Sequence, residues 1–128
     1  MTSDGHAVMR LQRLLANPRA TALQIRAVAA ELPHVNLEDA LAILLALLDR
    51  EPHTYSRSAA RWGSRLILER KLALPDAQLT LASLATLPGS GARAGAEALI
   101  ELADRHGLRR VDDLLITWLR AHGHHDTL

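Results

Sequence analysis

Arg57, Arg61 and Arg65 stand four residues apart in this 128-residue chain. On a helix that spacing lines three guanidinium groups along one face, where they would grip phosphates or the acidic surface of a partner. Arg70 and Lys71 follow closely enough to extend the patch. Projected at about 100° per residue, the arginines fall opposite Tyr55, Ala59, Trp62 and Leu66, so the helix is amphipathic with its cations outward. The plainer expectation is a solvated face, partly neutralised by Glu51 and Glu69.

Asp39, Asp76 and Asp113 form a second pattern, each 37 residues after the last and each opening an apolar run. Aligned carboxylates suggest a cation site. Equivalent positions on stacked helices, however, lie about 8–10 Å apart, too far for one calcium or magnesium ion held at about 2–2.6 Å. Carboxylates at helix starts, facing the positive end of the dipole, are the better reading.

His122, His124 and His125 beside Asp126 would bind transition metals loosely, without the fixed geometry of a functional centre, so no metal site is expected. His6, His34, His53 and His106 fall near expected helix ends, where histidine serves as a cap or surface residue. Gly89-Ser90-Gly91-Ala92-Arg93-Ala94-Gly95 lacks the Lys-Ser/Thr end of a phosphate-binding P-loop, and reads as a flexible connection before a helix. No His-Glu-x-x-His pair or Gly-x-Ser-x-Gly elbow is present, and no cofactor motif is found. The chain has no Cys, which excludes a disulfide framework and thiolate chemistry.

The elements that must position these residues are all helical. Pro18, Pro33, Pro52, Pro75 and Pro88 lie between apolar periodic runs and act as punctuation. They mark helices over roughly 5–16, 18–32, 36–50, 53–71, 75–87, a sixth starting near Ser90 and ending at Gly107, and 109–122. Asn36 is an N-cap candidate, with Glu38 and Asp39 in the first turn of the third helix. That helix is apolar nearly all round and belongs in the middle of the core. No segment alternates with period two, so no strand is expected.

The 37-residue shift also aligns Ile25, Trp62 and Leu99, and then Leu37, Leu74 and Val111. Two helices per unit at this length is how HEAT-type solenoids are built. In a chain so rich in Leu and Ala, apolar coincidences are frequent, and an irregular bundle is the alternative. The expected fold is a single all-α domain over 1–128: a cap helix over 1–17, helical hairpins over 18–51, 52–88 and 89–123, and a flexible tail over 124–128. Trp62 and Trp118, on apolar stripes, are expected to be buried. With no Phe, the core should be leucine-filled and its helices closely packed.

Fifteen Lys plus Arg against 14 Asp plus Glu argue against a wholesale nucleic-acid coat. The longest apolar run, Ala40 to Leu48, is too short to span a membrane, and the polar start, Met1 to Val8, does not read as a secretory segment. A cytoplasmic protein is the default expectation, and the Arg, Ala and Leu bias resembles a GC-rich bacterial coding sequence. The leading functional expectation is a non-catalytic interaction or scaffold module that docks a protein partner or a second copy of itself. The alternative is a small nucleic-acid-binding regulatory protein using the arginine stripe. A pocket between helices would point instead to an enzyme or ligand carrier.

Overall fold

The computed structural model describes residues 2–32 and 34–122, which contain seven α-helices and no strand. They are α1 (Thr2–Ala16), α2 (Ala22–Ala30), α3 (Leu37–Arg50), α4 (Tyr55–Glu69), α5 (Leu74–Thr86), α6 (Ala92–Arg105) and α7 (Arg109–His122), with a 3-10 turn at Pro52–Thr54 leading into α4. Residues 124–128, expected as a flexible tail, lie outside the described residues, as do His124, His125 and Asp126. None of the described helices is long and apolar enough to cross a membrane.

Local chemistry sets several boundaries. Asn36 caps α3, its Oδ1 accepting from the Asp39 N–H at 2.8 Å. Thr21 and Gln24 close a reciprocal capping box, so α2 begins at Ala22 instead of Pro18. Ser90 does not cap α6. Gly91 takes that position, and no side chain supplies the bond.

From α3 to α7 each helix packs on the next, and α7 then packs on α3. These five helices enclose a leucine-rich core that includes Leu44, Tyr55, Trp62, Leu84, Leu99 and Leu115. Asp39 reaches Arg110 and Asp49 reaches His122, so α3 and α7 start together, end together and run in the same direction. In an open solenoid each unit contacts only its neighbours. Here the last helix returns to the third, and the irregular bundle is the description that fits.

The all-round apolarity of α3 has a direct explanation. Leu41, Leu44 and Leu48 face the main core, while Ile43 and Ala46, on the opposite side, pack against a second small core of Leu11, Ile25 and Val28 from α1 and α2. α3 is the wall between two apolar clusters.

Burial follows the 37-residue spacing at one first-helix position and departs from it in the second helix of the middle pair. Ile25, Trp62 and Leu99 are all buried. Leu37 and Val111 are buried too, but their counterpart Leu74 is exposed; Leu44 and Trp118 are buried, but Leu81 is exposed. α5 buries Thr80, Ser83, Leu84 and Leu87 instead, which at 3.6 residues per turn is a rotation of roughly a third of a turn from the aligned face.

Two glycines explain the rotation. A Cβ on Gly95 of α6 would collide with Thr86 Oγ1 and stand 2.7 Å from the Ser83 carbonyl oxygen, so α5 and α6 cross in near backbone contact. Only the small, hydroxyl-bearing side of α5 fits there. Gly95 is therefore a buried packing residue inside α6, not part of a flexible connection. On the other flank, Leu81 and Leu84 of α5 lean over Gly63 of α4, within 2.8 and 3.0 Å of where its Cβ would be.

Two buried aromatic hydrogen bonds tie the bundle across α4. Trp62 Nε1 donates to the Leu37 carbonyl at 2.9 Å, and the Tyr55 hydroxyl donates to the Leu84 carbonyl at 2.7 Å. Burial pushes the Tyr55 hydroxyl above its ordinary pKa. Both aromatic bodies fill the core while their polar atoms are satisfied, the usual requirement for burying such residues.

Candidate functional site

α4 turns its apolar face, Tyr55, Ala59, Trp62 and Leu66, into the core and leaves Arg57 and Arg61 exposed. Arg65 is half-buried, its Nε donating to Glu69 at 2.7 Å, one helical turn away. Arg70 has left the stripe: it donates to the His106 carbonyl at 3.1 Å and fastens the end of α4 to the end of α6. Lys71 occupies the turn after α4 with φ at 51°, a left-handed conformation that costs a non-glycine residue energy. Glu69 neutralises Arg65 as expected, whereas Glu51 pairs with Arg26 of α2 at 2.9 Å and not with the stripe.

Arg57 and Arg61 line an open groove of about 850 Å³ between α2 and α4, and Arg26 enters it from the α2 side. His53, Ser56 and Ser58 complete its polar wall, and no carboxylate lines it. A smaller depression of about 210 Å³ shares Leu47, Ser58 and Arg61 with it and adds Arg65. Sequence spacing found the α4 arginines because they share one helix. It missed Arg26, which lies 31 residues before Arg57 and joins them only by tertiary packing.

The other edge of α4 has a different character. Leu74 is 68% and Leu81 42% exposed on α5; Leu68, 76% exposed, falls instead between Arg57 and Arg61 in helical projection, and Leu79, 36% exposed, lies on the far flank of α5. Gln78, Ala82 and Ala85 share the outer side of α5, and Ala60 and Ser64 flank the Gly63 crossing on α4. None of Ala60, Ser64, Leu74, Gln78, Leu81, Ala82 and Ala85 is charged. Exposed apolar side chains scattered singly need no explanation, but a contiguous set does.

No family model, curated protein or solved structure matches this chain. The reading of its surfaces therefore rests on their own chemistry.

The three recurrent aspartates reach different ends. Asp39 pairs with Arg110 at 3.5 Å, while Asp113 is exposed, and both line a cavity of about 580 Å³ beneath α1, between α3 and α7. Asp49, Arg50 and Trp118 line the same cavity, which has an apolar floor. Asp76 sits at the start of α5, joined to His106 Nε2 at 2.9 Å and to Arg105 at 3.3 Å. Among the described residues no group of three His, Cys, Asp or Glu is arranged to hold a metal ion.

Two carboxylates carry opposite pH signatures. The hydrogen bond from His106, reinforced by Arg105, holds Asp76 below the usual carboxylate range. Its stabilising effect is present above the unfolded-state pKa and is lost as pH falls through the folded one. Asp112 is raised, first by desolvation and then by the neighbouring charges of Asp104 and Asp113; its Oδ1 is buried without a protein partner. Because the folded chain holds that proton more tightly, Asp112 makes stability fall as pH rises past the unfolded-state value. Asp76→Asn is thus expected to lower the urea midpoint at pH 7, and Asp112→Asn to raise it. Both differences should shrink as the buffer is taken to acid, and equal shifts at all pH values would contradict the assignment.

Proposed function

We propose that this chain is a non-catalytic scaffold module that pairs with a second copy of itself through the uncharged outer face of α5 and the adjoining edge of α4. The supporting observation is the pair of outward leucines Leu74 and Leu81, beside Gln78, Ala82 and Ala85, on a bundle that has already filled its core. A two-fold interface sets each residue against the same patch on its partner, so a face containing like charges repels itself while an uncharged one does not. Arg57 and Arg61 border this patch on the outer side of α4, Arg57 projecting about 20° from Ser64.

α5 is about 20 Å long and the face is two helices wide, which is at the low end of stable interface sizes. Association is expected in the micromolar range. Sedimentation velocity over a wide concentration range should show a reversible dimer that tightens or holds steady as salt rises, since apolar contacts are not screened. Leu74→Lys with Gln78→Lys should give a monomer with unchanged helicity. A chain that stays monomeric near millimolar concentration, or a dimer indifferent to these substitutions, rules the reading out.

A further inference from the structure

The geometry points to the α2–α4 groove as a binding site for a compact ligand bearing two or more adjacent phosphate groups. Two guanidinium groups, from Arg57 and Arg61, line one concavity with Arg26, which is paired with Glu51, and no carboxylate lines it. Arg57 and Arg61 have no carboxylate within salt-bridge distance among the described residues, so their donors are available. Guanidinium forks match phosphate oxygens in pairs, and two of them one helical turn apart are too many for a single oxygen edge. Their natural complement is a ligand with several such edges.

The hydroxyls fit the same chemistry. Ser56 and Ser58 line the groove beside the arginines and make no hydrogen bond to another protein group among the described residues. They can donate to phosphate oxygens. Arg26 is held by Glu51 at 2.9 Å and by Thr54 Oγ1 at 3.1 Å, so the unopposed charge in the groove is that of Arg57 and Arg61. Glu51 does not line the groove.

A compact ligand is favoured over a nucleic-acid strand because the unopposed charge does not continue along the helix. Arg65 is held by Glu69, and Arg70 by the His106 carbonyl. A strand needs a positive track that follows its backbone for several nucleotides, whereas this one is broken at Arg65, with Arg70 and Lys71 lying only beyond the end of α4. The inference rests on the lining of the groove and not on self-association.

Inorganic pyrophosphate is the probe. Titration of the whole chain at constant ionic strength, followed by calorimetry and amide chemical shifts, should show saturable one-to-one binding with shifts centred on Ser56 to Arg61. Arg57→Gln with Arg61→Gln should weaken it about tenfold or more, because two charge-assisted contacts are lost. Arg93→Gln, on the exposed side of α6, should leave it unchanged. Both arginines are exposed, so thermal melting should confirm that the double variant folds. Three results would each overturn the proposal: no saturation at about 10 mM pyrophosphate, equal weakening by Arg93→Gln, or tighter binding of a single-stranded oligonucleotide than of pyrophosphate with a steep salt dependence.

Discussion

Gly95→Ala should destabilise the bundle by about 3 kcal/mol, even though alanine is the better helix former by about 1 kcal/mol. The added methyl meets the Ser83 carbonyl at 2.7 Å, and a backbone atom held in α5 cannot step aside. It also displaces the Thr86 hydroxyl from its hydrogen bond to that carbonyl, 2.7 Å long, for a further loss of about 1 kcal/mol. Urea unfolding followed by circular dichroism should show the midpoint fall, with a drop of roughly 10 °C in Tm. Gly63→Ala is the control. There the methyl meets only the side-chain ends of Leu81 and Leu84; Leu81 is partly exposed and free to turn, so the gain in helix propensity nearly offsets the crowding. If the two substitutions were equally damaging, close backbone approach would not be what distinguishes the α5–α6 crossing.

Trp62→Ala is expected to cost about 4 kcal/mol, a third or more of the stability of an ordinary domain of this size. The indole lies 4% exposed in the core lined by α3 and α4, and its removal leaves a cavity that rigid helices close only in part. Trp62→Phe keeps most of the volume but loses the 2.9 Å bond to the Leu37 carbonyl, and should cost about 1–2 kcal/mol. The two variants separate packing from hydrogen bonding. A cooperative, near-native urea transition for Trp62→Ala would mean that the α3–α4 packing relaxes around the gap.

The helices were legible because their signals are local. Asn36, the proline punctuation and the apolar stripe of Tyr55, Ala59, Trp62 and Leu66 each act within a turn or two of chain. The structure places a helix start after Asn36 and buries all four stripe residues. Gly95 was misleading for the opposite reason. In sequence it continues the run Gly89, Ser90, Gly91 and looks like a linker, and only the approach of α5 gives it a role. The α5 face failed similarly: Leu74 and Leu81 match Leu37 and Leu44 in spacing, but a neighbour 37 residues away cannot set the rotation of a helix that must fit Gly95 and Gly63.

For the candidate surfaces, the sequence by itself put Arg57, Arg61 and Arg65 on the outer side of a helix with a buried aromatic face, because helical periodicity converts spacing into direction, and the first two are exposed. Tertiary structure decided everything that depends on a second element. It brought Arg26 across from α2 to make the stripe a groove, tied Arg70 to the His106 carbonyl, and turned Leu74 and Leu81 of α5 outward, whereas the pairing of Arg65 with Glu69 lies within one helix. The physical reason is common to all three. Side-chain direction along one helix is fixed by its own backbone, whereas which helix faces which is settled by close packing at a few sites, here two glycines and the small side chains opposite them.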